Sequence, residues 1–120
     1  MHIIKTWDNS RVIHKANLET KEEVVRDGVN RGISFKMANL KDMDFSGMNL
    51  IGADFHKAFM YNACFSNCDL KRANLSHAEL TLSDFRGADL TNAKLNDSNA
   101  KCIVLKGAKM KHTDLRRIIK

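Results

Sequence analysis

A large apolar residue falls on every fifth position of this chain from residue 35 to residue 115. Sixteen of these seventeen central positions are Leu, Phe or Met, and the exception is Ala100. A second register lies two residues before each centre; nine of its seventeen members are Ala and none is charged. In a helix the centres would point about 140° apart, and in a flat strand they would alternate between faces. The chain must therefore turn a corner once per five residues.

Four right-angle corners close one coil of twenty residues, and successive coils then stack about 4.8 Å apart. The sequence repeats at this lag, with Phe at 45, 65 and 85 and Leu at 50, 70 and 90. The corner after the Phe column carries Gly47, Asn67, Gly87 and Gly107, which tolerate a positive φ. We expect an all-β solenoid of about four coils, with a strained corner in that column.

The units MANLK, IGADF, KRANL, RGADL and TNAKL match the A(D/N)LXX signature of the pentapeptide repeat family. The resemblance covers residues of about 33–115 and implies a right-handed quadrilateral β-helix. Units such as YNACF, KCIVL and GAKMK keep the inward pair but lose the Asp or Asn before the centre, which makes their sides locally atypical.

Residues 1–32 are predicted to cap residues 33–120 within one structural domain. IIKTW and RVIHK read as a β-hairpin around Asp8-Asn9-Ser10, and Thr20 with Glu23 forms a capping box that opens a short helix ending near Gly32. This order resembles the start of some phage-borne family members. At the other end, either the last residues fold over the final coil or a second copy of the chain covers it. The candidate residues for such a homodimer interface are Met110, Leu115, Ile118 and Ile119.

The charge is uneven. Residues 33–100 carry seven Lys or Arg and eight Asp or Glu, whereas residues 101–120 carry seven and one. This basic end could bind an anionic partner or only protect an exposed edge. Some pentapeptide repeat proteins imitate duplex DNA to act on gyrase. That mimicry requires a strongly negative surface along the rod, which the charges of this chain do not provide. The candidate partner-binding residues of the basic end are Lys101, Lys106, Lys109, Lys111, Arg116, Arg117 and Lys120.

A second candidate partner surface is apolar. Phe59 and Tyr61 flank the inward Met60 and should point outward, with Leu82 at a nearby corner. An exposed aromatic pair on a polar wall is typical of a binding hot spot, although the cap or a local bulge could equally cover it.

No catalytic, cofactor or metal site is predicted. His56, Ser76 and His77 stack near Asp54, as a hydrolase would need, but we expect a convex wall with no pocket and no oxyanion donors. Cys64 and Cys68 lack paired CxxC spacing, and Cys68 belongs to the inward register.

We therefore predict a non-enzymatic scaffold that binds an unidentified protein. The alternative is a nucleic-acid-binding or topoisomerase-modulating protein that acts through the basic end. The N-terminus lacks a signal-peptide layout, no apolar run reaches the ~18 residues of a membrane span, and the three cysteines suit a reducing compartment. These features favour the cytoplasm and no membrane contact.

Overall fold

The computed structural model describes all 120 residues. The chain begins with the strands β1 (His2–Lys5) and β2 (Val12–Ala16), which pair antiparallel, followed by the helix α1 (Lys21–Asn30). The predicted hairpin and helix are confirmed. The Thr20 side chain accepts a hydrogen bond from the Glu23 N–H, as an N-cap requires.

From residue 33 the chain winds into a four-sided coil. Single β-bridges join residues twenty apart in parallel, from Asn39 with Phe59 to Asn99 with Ile119. We name the walls after their inward centres: wall A holds 35, 55, 75, 95 and 115, and wall B holds 40, 60, 80 and 100, with the exposed Lys120 at the next position of wall B. Wall C holds 45, 65, 85 and 105, and wall D holds 50, 70, 90 and 110. The centres from Phe35 to Leu95 are fully buried, as the five-residue period predicts.

Every corner uses a left-handed residue. The second residue after each of the seventeen centres has a φ between 57° and 74°. The N–H of the next residue then donates to the carbonyl of the centre, as in Ala38 to Phe35 at 3.0 Å. A turn with a positive φ at its third residue is a type II turn. The prediction of one strained column was therefore too narrow, because all four columns of corners are left-handed.

The Asp or Asn before each centre has a structural purpose that the motif alone does not reveal. At twelve of the seventeen units its position supplies a side-chain oxygen to the N–H of the residue after the centre, at 2.9–3.4 Å. We call this contact the wall bond; it satisfies a donor that no neighbouring coil reaches. Five units cannot form it, because the position holds Phe59, Cys64, Lys94, Val104 or Lys109.

The core is a continuous apolar column with a phenylalanine stack on wall C. The rings of Phe65 and Phe85 lie 4.9 Å apart with planes 13° apart, and Phe45 stacks on Phe65 at 5.2 Å. Such stacking adds to the free energy gained by burying the rings. Cys68 fills an alanine position and is 1% exposed, as its register predicts.

The cap is joined to the first coil by backbone and side chains. Thr6 pairs with Ala38, and the Trp7 N–H donates to the Met37 carbonyl at 2.9 Å. The helix α1 approaches Phe35 closely at Gly28, where any Cβ would overlap the Phe35 ring. The cap therefore covers the N-terminal end of the core.

Candidate functional site

Wall B carries the predicted aromatic pair. The rings of Phe59 and Tyr61 stack with centroids 6.4 Å apart and planes 11° apart, and Leu82 at the next corner is 44% exposed. Both rings are half-buried. The backbone keeps its regular pairing here, with the Phe59 N–H donating to the Ala38 carbonyl at 2.9 Å. No bulge covers these residues, which we call the aromatic patch: Phe59, Tyr61 and Leu82.

The aromatic patch departs from the repeat consensus at two positions, as several other units of the coil do. Phe59 occupies a position that usually supplies the wall bond, so the Tyr61 N–H has no hydrogen-bond partner in the protein. Leu82 adopts a φ of 63°, where Gly, Asn and Asp are favoured. Both departures lower the stability of the coil and place apolar side chains on its surface.

The polar neighbours of the patch are held in place by one another. Glu79 accepts hydrogen bonds from the Thr81 hydroxyl and N–H on one carboxylate oxygen, and from the Asn99 amide at 3.1 Å on the other. The Lys41 ammonium lies 6.0 Å from the centroid of the Tyr61 ring, which is a cation–π distance. Lys101 belongs to the same outward column as Lys41 and Tyr61 and has no ion-pair partner.

The basic end forms a ring and not a single patch. Arg116 and Arg117 are on wall A, Lys106 on wall C, Lys109 and Lys111 on wall D, and Lys101 and Lys120 on wall B. Two of these charges are compensated, since Arg116 pairs with Asp114 at 2.8 Å and Arg117 with Asp97 at 2.6 Å. The remaining lysines point in different directions, which does not suit one continuous anionic surface.

The predicted dimer residues lie in the last coil. Met110 and Ile118 are half-buried, whereas Leu115 is 36% and Ile119 52% exposed. The last coil pairs with residues 81–100 on one side. The structure contains one chain, so the homodimer stays a prediction.

Wall A brings together the residues of the rejected hydrolase hypothesis. The Nδ1 atom of His56 lies 2.8 Å from the Ser76 hydroxyl, and that hydroxyl donates to the Asn74 side-chain oxygen at 2.6 Å. The His56 and His77 rings meet edge to face at 5.2 Å. Burial, followed by the charges of His77 and Lys36, lowers the pKa of His56.

This arrangement does not activate Ser76 as a nucleophile. With the Ser76 proton directed to Asn74, His56 donates its Nδ1–H to Ser76 and cannot take the proton. The nearby backbone N–H groups are also engaged: those of Phe55 and Leu75 donate to carbonyls of the next coil, and those of His56 and Ser76 to wall bonds. None of these four N–H groups is therefore free to act as an oxyanion donor for Ser76.

The expectation of a convex wall without a pocket was nevertheless wrong. An open groove with a cavity volume of about 410 Å³ runs along wall A, and all nine residues that line it are polar or charged. It lies between the outward side chains that precede the centres, such as Asp54 and Lys94, and those that follow them, such as His56 and Asn96. Sequence reasoning missed the groove, because the depth between two rows of side chains depends on their conformations.

The residues considered for zinc do not converge. No group of three or more His, Cys, Asp or Glu side chains is arranged to hold a metal ion. Burial raises the pKa of the Cys68 thiol to about 12, which disfavours the thiolate that zinc requires. The structure also contains no helix with the length and apolarity needed to cross a bilayer.

Comparison with known families now identifies the repeat. The family described as "Pentapeptide repeat region" matches residues 38–115. The chain belongs to the pentapeptide repeat family. Its fold is the right-handed quadrilateral β-helix, as the A(D/N)LXX units implied. A search of curated proteins gives no match.

Several solved pentapeptide repeat proteins are similar to this chain. The protein alr5209 from Nostoc PCC 7120 is 26% identical with a TM-score of 0.70, and the match covers 78% of each chain. HetL from Nostoc sp. strain PCC 7120, involved in heterocyst differentiation regulation, is 26% identical with a TM-score of 0.52 over 63% of this chain and 38% of its own. A protein of the Arabidopsis thaliana thylakoid lumen is 29% identical with a TM-score of 0.52, over 62% of this chain and 59% of its own.

Proposed function

We propose that this pentapeptide repeat protein is a non-enzymatic scaffold that binds a protein partner through the aromatic patch on wall B. Pentapeptide repeat proteins are generally structural or interaction proteins. The observation that carries the proposal is the stacked pair of Phe59 and Tyr61, held half-exposed on an otherwise polar wall. Aromatic side chains of this kind dominate the binding energy of protein interfaces.

The local energetics support a binding purpose. Asn at position 59 would restore the wall bond to the Tyr61 N–H, and Asn or Gly at 82 would relieve a left-handed Leu. The chain instead keeps large apolar residues at both positions. Departures from local rules that expose apolar surface are expected at functional sites.

The charges around the patch indicate the partner's chemistry. Lys41 and Lys101 lie in the outward column of Tyr61, one coil before it and two coils after it, whereas Glu79, whose hydrogen bonds come from the neutral Thr81 and Asn99 side chains, is the one acidic residue of this surface. A partner that inserts an apolar side chain between acidic residues would complement this surface. Neither the comparisons nor the dispersed basic ring supports the alternative of nucleic-acid binding or topoisomerase modulation.

A comparative pull-down tests the proposal. Wild-type protein, Phe59→Asn and Val104→Asn are immobilised, and bound proteins from the native host are quantified by mass spectrometry. Both substitutions introduce the consensus Asn at a unit that lacks it, but only Phe59→Asn removes the aromatic patch. We expect the partner to be lost from Phe59→Asn and retained by Val104→Asn; equal recovery on both would refute the proposal.

The homodimer, the cytoplasmic location and the phage origin stay predictions. Self-association through the last coil would bring together two segments with seven basic residues and one acidic residue each. Such a dimer should therefore strengthen with salt, because screening weakens repulsion between like charges. Sedimentation at two protein concentrations and two salt concentrations measures the self-association and its dependence on salt.

A further inference from the structure

The polar groove on wall A contains one unit without a wall bond. Its other units place an oxygen of Ser34, Asp54, Asn74 or Asp114 on the N–H two residues later, at 3.0–3.2 Å. At the fourth unit this position is Lys94, and the Asn96 N–H has no hydrogen-bond partner in the protein. Since the equivalent donors are reached from outside the wall, the Asn96 N–H faces the groove. A free donor and a cation thus stand where the other units hold an acceptor.

The charges of the groove favour an anionic ligand at this position. Lys36 and Lys94 both line the groove and form no ion pair. Asp114 is paired with the Arg116 guanidinium at 2.8 Å, whereas Asp54 accepts only from the neutral Ser34 hydroxyl at 2.7 Å and keeps its charge. Lys36, Lys94 and Arg116 against Asp54 and Asp114 leave the lining of the groove with one net positive charge.

We propose that the Asn96 N–H and the Lys94 ammonium form a binding site for a carboxylate or phosphate group in the groove of wall A. An oxygen of the ligand takes the place that a side-chain oxygen fills in the neighbouring units, and the ammonium adds a charge-assisted contact. The anion site is on a different wall from the aromatic patch, so this proposal does not depend on the proposed partner surface.

The chain provides matched controls within one spectrum. Lys111 also follows a lysine at the equivalent position, Lys109, and its N–H likewise has no partner, but this unit is on wall D outside the groove. The Ser76 N–H lies in the groove but is engaged by Asn74. Only Asn96 combines the free donor, the lysine and the groove.

Amide proton and nitrogen chemical shifts are followed by NMR while sodium phosphate or sodium acetate is added at constant ionic strength. We expect a saturable downfield shift of the Asn96 amide proton, with no saturable shift at Lys111 or Ser76. The titration with the lower dissociation constant identifies the preferred group as phosphate or carboxylate. Lys94→Asn, which restores the wall bond, should weaken this binding at least about tenfold, whereas Lys109→Asn should leave it unchanged.

Three outcomes would overturn the site. One is the absence of a saturable shift at Asn96 with either anion. The second is an equal shift at Lys111, which would show non-specific attraction to lysine. The third is unchanged binding in Lys94→Asn whose remaining spectrum matches that of the wild-type protein.

Discussion

His56 and Ser76 occupy equivalent positions in successive coils, and the Nδ1 atom of His56 lies 2.8 Å from the Ser76 hydroxyl. Stacking at a twenty-residue lag therefore turns two residues that are distant in sequence into a hydrogen-bonded pair. The second ring, that of His77, meets His56 at 5.2 Å. This cluster governs how His56 binds protons.

We predict that His56 titrates below the ordinary histidine pKa of about 6.5. Burial is the largest cause, followed by the charges of His77, Lys36 and Lys57. His77→Asn should raise the pKa of His56 while leaving it below the ordinary value, because burial remains. NMR titration of the ring protons measures this, and an unchanged His56 pKa in His77→Asn would contradict it.

The same shift has a consequence for stability. A histidine whose folded pKa is lowered binds its proton more readily in the unfolded chain. The contribution of His56 to the free energy of unfolding should therefore be fully present above about pH 6.5. It should be lost as the pH falls from there through the pKa of His56 in the folded protein.

Leu82→Asn should stabilise the protein. Leu82 holds a φ of 63° with its side chain 44% exposed, and Asn tolerates this conformation better. We expect a gain of about 0.5–1 kcal/mol in the free energy of unfolding, seen as a higher urea midpoint at an unchanged m-value. Leu82→Ala also removes the exposed apolar side chain but lacks the short polar side chain by which Asn tolerates this φ, so it should give no such gain. Equal midpoints for Leu82→Asn and Leu82→Ala would show that backbone strain is not the cause.

Phe65→Ala should be severely destabilising. Phe65 is fully buried between Phe45 and Phe85, so truncation leaves a cavity in the column. Core truncations of Phe typically cost about 3–5 kcal/mol. Phe59→Ala is the outward counterpart and should cost less than about 1 kcal/mol by urea unfolding. Similar losses for both variants would contradict the assignment of Phe65 to the core and Phe59 to the surface.

The coil was predictable because its signal is redundant. Each centre from Phe35 to Leu95 repeats the same inward rule, and Thr20 with Glu23 marks the helix start by simple hydrogen-bond chemistry. The outward direction of Phe59 and Tyr61 follows from the same register. A single central position that is not Leu, Phe or Met, such as Ala100, does not obscure a period that the other sixteen positions maintain.

The details that escaped prediction depend on single residues and side-chain conformations. Corners at Lys57, Arg72 and Leu82 are left-handed although these residue types give no such signal; the turn bonds of the coil impose the conformation. The groove on wall A and the free Asn96 N–H became visible only when the wall bonds were located. Lys94 in the unit TNAKL was the available signal, since it replaces the residue that supplies the bond.

The central claim is that the aromatic patch on wall B binds a protein partner. The affinity of the captured partner for Phe59→Asn tests it most directly. Calorimetric titrations compare the wild-type protein, Phe59→Asn and Val104→Asn, and thermal unfolding confirms that all three are folded. We predict that Phe59→Asn unfolds no lower than the wild-type protein yet binds at least about tenfold more weakly, as loss of an aromatic hot spot implies. Val104→Asn should bind within about twofold of the wild-type protein, a difference well below 1 kcal/mol. Wild-type affinity in a folded Phe59→Asn protein would contradict the assignment of wall B as the partner-binding surface.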